Sequence, residues 1–321
     1  IQEKMRKILL LSAFVSVFMI GKAQINIGNP GAIKPTSFKN KDIELYKTLT
    51  TYFVIREGDK ENQTAIENIL KQVWTFNKFE VIDFDRYKTM TENENAIFFG
   101  LRNYNSSSDY TSNSDLFGKY AQYSSLSIQL WRNLKKEKPQ LLNEDVLAYI
   151  NLGTHWRMSK ELQQRVSLDA FEYICKTDTI VKEWSWGYLK NYLQEINRHL
   201  EANKPRWRFE SEVDKENISK LNSQILYVSS DVKSQYDSRA KEDPFTEYKG
   251  KKIEMISPGD LSEKILNSEI PFYYMKVYMP SSDKIVTIIN SATGEYLYSD
   301  YRGMAYFFKD KDVKELNGKL K

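Results

Sequence analysis

Two stretches decide the fold: KFEVIDFDRYKTMTENENAIFFGLRNY at 78–104 and KIEMISPGDLSEKILNSEIPFYYMKVY at 252–278. Laid together without a gap, at a constant offset of 174, they are identical at Lys78/Lys252, Glu80/Glu254, Ile82/Ile256, Asn93/Asn267, Phe98/Phe272 and Tyr104/Tyr278. Each opens on a short alternating strand (FEVI or IEMI), passes through a helical turn and ends in an apolar strand (AIFFGLRNY or PFYYMKVY). The same offset sets TYFVI (51–55) against ILYVS (225–229) as first strands. Two related strand–helix–strand units follow, an internal repeat of α/β (α+β) class.

The repeat also interprets VIDFDRY. Two aspartates around an aromatic invite a reading as paired acid and base, yet Asp83 aligns with Ser257, which precedes Pro258. Ser before Pro is a helix start, because the side chain accepts from an early backbone N–H and Pro needs none at the first position. Asp83 is therefore expected to cap a helix. In TAIENILKQVW (64–74) Ile66, Ile69, Leu70 and Val73 recur at helical spacing, and Thr64 with Glu67 fits a capping box. The second unit's counterpart, SQYDSRAKEDPFTEY, is polar and carries Pro244, so its helix should be shortened or displaced. LSIQLWRN (126–133) and DVLAYINLG (145–153) extend the first sheet, and KIVTIIN with GEYLYSD around SATG forms a hairpin in the second.

Between the units, Leu162, Val166, Ala170, Phe171 and Ile174 form one helical stripe and Leu189, Leu193, Ile196 and Leu200 another. These predict a helical hairpin joining the two sheet units. The expected division is a signal peptide at 1–23, an extended leader at 24–43, the first α/β unit at 44–154, the helical bridge at 155–206 and the second unit at 207–321. NYNSSSDYTSNSD (103–115) reads as a solvated loop.

Arg6 and Lys7, the apolar run ILLLSAFVSVFMI (8–20) and then GKAQ have the order of a secretory signal, with Gly21 and Ala23 as the small residues before a cut at Gln24. The run is shorter than the roughly 20 apolar residues of a membrane span. Export to the periplasm or outside the cell is the expectation. Four basic residues (Lys4, Arg6, Lys7, Lys22) against Glu3 account for +3 of the formal +4, so the chain from Gln24 onward stands near +1. That removes the basic footprint of a nucleic-acid binder. The KAQ end and the Lys/Asn/Tyr-rich body resemble exported proteins of Bacteroidota, a resemblance of composition and signal peptide that implies no activity.

Motifs for bond chemistry are missing. His155, His199 and the single Cys175 have no metal-ligand spacing, and no metal or cofactor is expected. No nucleophile elbow or Gly-rich phosphate loop occurs. Cys175 closes the apolar stripe and reads as a core residue, although pairing with His155 or His199 in space stays open. The contact candidates are Trp156, Trp184, Trp186 and Trp207, whose flat faces suit a partner or a sugar. Arg206 and Arg208 flank the last of them, to hold an anion or solvate the linker. The leading reading is a non-catalytic exported envelope or secreted protein-interaction module. The alternatives are a hydrolase whose site assembles only in the fold and a carbohydrate-binding module using Trp and Tyr.

Overall fold

The structure, a computed structural model, describes residues 24–30, 34–104, 125–133, 144–152, 161–162, 165, 167–177, 184–207, 210–237, 243–279 and 283–320. The first unit runs β1 (Ile25–Ile27), α1 (Asn40–Thr48), β2 (Thr50–Val54), α2 (Gln63–Val73), β3 (Lys78–Ile82), α3 (Phe84–Thr89), β4 (Ala96–Tyr104), β5 (Ser125–Asn133) and β6 (Glu144–Leu152). Helices α4 (Ser167–Lys176) and α5 (Trp186–Glu201) lead to the second unit. It consists of β7 (Glu212–Val213), β8 (Ile225–Ser229), β9 (Lys252–Ile256), α6 (Pro258–Asn267), β10 (Tyr273–Tyr278), β11 (Asp283–Asn290), β12 (Tyr296–Gly303) and α7 (Asp310–Lys319).

The result is a mixed α/β fold of two six-stranded sheets, ordered β1-β6-β5-β4-β2-β3 and β7-β12-β11-β10-β8-β9. In each, β2 or β8, next to one edge and the central strand of a parallel trio, has a parallel neighbour on both sides, and antiparallel strands continue to the far edge. Each far edge is closed by a short strand from the start of the unit, β1 on β6 and β7 on β12.

The two units are similar, but the offset is not constant. Strand β3 maps onto β9 at 174, since both begin on the lysine that pairs with the first residue of the central strand. The central strands themselves match at 175, so Tyr52 and Tyr227 are equivalents, each opposite Glu80 or Glu254. Opposite Tyr52 on the other side stands Phe98, and opposite Tyr227 stands Tyr274, an offset of 176. The ungapped match at Phe98/Phe272 therefore does not mark equivalent places, because loops of unequal length shift the register between strands.

Local chemistry explains the helix starts. Asp83 accepts from the Arg86 backbone N–H at 2.9 Å and Ser257 from that of Asp260 at 3.1 Å, both as expected. The Thr64 capping box does not form: a 3-10 turn over Glu57–Asn62 runs directly into α2, so Thr64 is already helical, and Glu67 accepts from Gln63 instead. The second unit replaces α2 with short 3-10 turns at Ser230–Gln235 and Pro244–Glu247, as its polar sequence implies. Gly294, at φ 71°, supplies the left-handed turn between β11 and β12.

Both sheets bury both faces. Phe171 and Cys175 of α4 pack with Phe98 and Trp131 on one face of sheet 1. On the opposite face, Phe53, Ile97 and Phe99 share a core with α2 and with Leu189, Leu193, Ile196 and Leu200 of α5. That same core continues into Tyr274, Phe272 and Ile289 of sheet 2 and Leu261 and Ile265 of α6, so α5 and α6 lie between the sheets. Helix α7 covers the remaining face of sheet 2, over Val228, Met275 and Val277. Contact between α5 and α6 is close at Gly187, whose N–H donates to Ser262 Oγ at 3.1 Å. A Cβ at that position would lie 2.7 Å from the Ser262 carbonyl oxygen.

Candidate functional site

Helix α5 is buried almost all round, so its polar residues must find partners inside the protein. Glu195, with no exposed surface, is the centre of a charged seam. Its carboxylate takes a bond from Arg206 Nη1 at 2.8 Å and from Arg198 Nη2 at 2.5 Å. His199 Nε2 lies 3.1 Å from the same carboxylate, while Nδ1 lies 2.8 Å from the Lys204 carbonyl oxygen. Arg206 also pairs with Glu212 on β7, and its guanidinium lies over the Tyr296 ring of β12, 4.2 Å from the centroid. Its backbone is tied to Ile27 of β1 in both directions. One residue thus fastens the edge of sheet 1, the middle helix and the edge of sheet 2.

Electrostatics follow from this geometry. Burial alone would push the Glu195 carboxyl up, but the His199 hydrogen bond and the Arg206 and Arg198 charges outweigh it and hold the group at about 2. Burial also opposes the charge on Arg206, and Glu195 and Glu212 override it, raising that group further. The Tyr296 hydroxyl is pushed up by burial and has no hydrogen-bond partner among the described residues.

Beside the seam, sheet 2 carries a polar row on its inner face. Lys276, Thr287, Ser299 and Glu212 are neighbours across four strands. Buried Lys276 donates to the Tyr192 hydroxyl and lies over the Tyr188 and Tyr192 rings. Gln24 Nε2 donates to the same hydroxyl at 2.8 Å. A narrow cleft opens here, lined by Gln24, Arg206, Trp207, Thr287, Tyr296 and Ser299 among others, with an inner volume of about 10 Å³, room for about one water.

Arg206 and Trp207 therefore meet in one place. Arg206 does not solvate the linker: it is buried, as part of the clamp. Trp184 and Trp186 sit at the other end of α5, half-buried, with rings 5.8 Å apart and inclined at 67°, and Arg56 lies over Trp184. Such crossed rings form no flat platform. Trp156, Arg208 and His155 lie outside the described residues, as do residues 1–23 and most of the 103–115 loop.

Cys175 belongs to the aromatic core around Phe98, Trp131 and Phe171, and burial pushes its thiol up to about 12. The His199 ring is directed to Glu195 and Lys204. Among the described residues no group of His, Cys, Asp and Glu is placed to hold a metal ion, and no helix is long and apolar enough to cross a membrane. A second buried pair, Lys284 with Asp312 at 2.6 Å, ties α7 to β11; burial pulls the Lys284 amine down against the pull of Asp312.

Sequence reasoning missed Glu195, Tyr192, Lys276, Glu212, Tyr296 and Gln24 as site residues, and weighed His199 only as a metal ligand or a partner of Cys175. A usable signal was present in YLQEINRHL: Glu195 and His199 stand one turn apart and flank Ile196 of the apolar stripe, where a charge needs a partner. Compared with known proteins, the chain matches no family model, no curated protein and no solved structure.

Proposed function

We propose that the chain is an exported, non-catalytic protein that works by binding a partner protein. The observation that carries this reading is the turn between β12 and α7. Met304 is 76% exposed and Tyr306 58% exposed, and Met304 holds a left-handed backbone at φ 54°. A non-glycine residue there costs about 1–2 kcal/mol, and two large apolar side chains stay in water beside it. Strained backbone collects at functional sites, and we take these two exposed side chains beside it as the contact surface. By contrast, the deeply buried charges Glu195, Arg206, Lys284 and Asp312 are engaged with one another, which supports a scaffold role for them.

The test is capture from an envelope fraction by the immobilised chain and by a Met304→Gly/Tyr306→Ser variant. One discrete protein species should be retained by the parent and lost with the variant at unchanged melting temperature. Equal retention by both would refute the assigned surface. Measurable hydrolytic turnover by the purified chain would refute the non-catalytic reading.

A further inference from the structure

We propose that Gln24, once freed as the first residue of the mature chain, is closed to pyroglutamate, a neutral lactam seated in the seam between the two sheets. The proposal rests on the export reading, because it needs the cut after Ala23. The fold leaves no slack at that point. Gln24 is 2% exposed, its carbonyl accepts from the Asn151 N–H at 2.6 Å, and β1 begins at the next residue. Ile27 is then held by Arg206. A cut before Gln24 therefore creates an α-amine at the mouth of a buried seam.

An ammonium is poorly placed there. Burying an unpaired charge is strongly unfavourable, and two cations already occupy the surroundings. Arg206 lines the same cleft, and Lys276 shares the Tyr192 hydroxyl with Gln24. The nearby acids Glu195 and Glu212 are engaged by Arg206, which leaves Glu210 at the rim. An uncharged chain end suits this site.

The side-chain amide points the same way. Nε2 is bonded to Tyr192, while Oε1 is buried without a partner among the described residues. The free amide thus carries one polar group more than the seam pairs there, and cyclisation leaves the side chain with a carbonyl alone. The α-nitrogen attacks Cδ, the Cδ–Nε2 bond breaks and Nε2 leaves as ammonia, with the lost α-proton; a lactam N–H and C=O remain. No oxidant or reductant is needed. Tyr296 lines the same cleft, and its buried hydroxyl has no partner among the described residues.

Mass spectrometry of the chain recovered after export from a Gram-negative host tests this. The expected species begins at residue 24, is lighter than the plain sequence by one ammonia, and resists stepwise amino-terminal degradation. Pyroglutamyl aminopeptidase should remove the lactam from the urea-unfolded chain and leave the folded chain intact. A chain cut at residue 24 with a free amine overturns the lactam alone. A lactam removed equally fast from the folded chain overturns its seating. An exported chain that retains residues before 24 is cut elsewhere and overturns the proposal, and a chain that is not exported sinks the export reading and takes the proposal with it.

Discussion

Arg206→Met is the sharpest perturbation of the seam. The substitution keeps an unbranched apolar stem, though a shorter one, and leaves the backbone bonds to Ile27, but it strips Glu195 of its buried guanidinium partner and leaves it Arg198 and His199. Removing one partner of a buried pair costs about 3–5 kcal/mol. The His199 hydrogen bond and the Arg206 and Arg198 charges together hold the Glu195 carboxyl at about 2 against an ordinary glutamate's 4.5, which corresponds to about 3 kcal/mol in all, of which Arg206 supplies a part. Because the folded value lies below the unfolded one, that stabilisation is complete above pH 4.5 and is lost as the pH falls toward 2. At pH 3 roughly 1 kcal/mol remains. Urea unfolding at pH 7 and pH 3 should therefore show a deficit of about 3–5 kcal/mol for Arg206→Met that shrinks by at least half in acid. The double variant Glu195→Gln/Arg206→Met removes both charges and should return to within about 2 kcal/mol of the parent, with strong coupling in the cycle. A pH 7 deficit below about 1 kcal/mol, or one independent of pH, would refute the clamp.

Asp83→Ala and Ser257→Ala should each lower stability by about 1 kcal/mol, read as a drop in the urea midpoint; no loss at either would break the argument that the pair are equivalent caps. Cys175 should stay unmodified by a thiol reagent in the folded chain and react fully in urea, because its thiol is buried and pushed up to about 12. Gly187→Ala should cost about 1–3 kcal/mol by overpacking α5 against α6, while alanine at exposed Gly259, where a Cβ meets nothing, should not open that contact. A fragment from residue 184 to 320 should give a cooperative thermal transition, whereas one from 207 to 320, which lacks α5, should not; two equal transitions would show that sheet 2 does not need that helix.

The strand–helix–strand units were legible because their signals are local. Asp83 and Ser257 could be matched as caps, the apolar spacing in α2 and α5 marked buried faces, and Gly294 marked a turn. The short edges were not legible. Strand β1 has three residues and β7 two, too few for alternation to register, and they exist because β6 and β12 offer open edges. Counting identities placed Phe98 against Phe272, whereas cross-strand pairing, a long-range property, places it against Tyr274. The clamp was hidden for the same reason. Glu195 and Arg206 read as a helix residue and a linker residue, and only the approach of both sheet edges makes them one site.

The corrected offsets also reveal how the units are stacked. At 176, Gly100 is the equivalent of Lys276, and the row Gly100–Gln129–Tyr149–Asn26 is the equivalent of Lys276–Thr287–Ser299–Glu212. Over Gly100 lies Phe171 of α4, whose ring would stand 3.4 Å from an added Cβ; over Lys276 lie Tyr188 and Tyr192 of α5. Helix α5 is thus to sheet 2 what α4 is to sheet 1. On the opposite faces, Phe53 and Phe99 correspond to Val228 and Met275, so α5 is also to sheet 1 what α7 is to sheet 2. The units are therefore stacked head to tail, in the order α4, sheet 1, α5, sheet 2, α7, and not face to face about a two-fold axis. Such a stack could in principle extend, as heterologous interfaces do. Here it ends because α4 and α7 cover the outer faces. A helix that serves two sheets at once keeps only a narrow solvated stripe, here Lys190, Gln194, Arg198 and Glu201, which is why its other polar residues had to be paired, and why the ion-pair clamp sits on α5 and its exit.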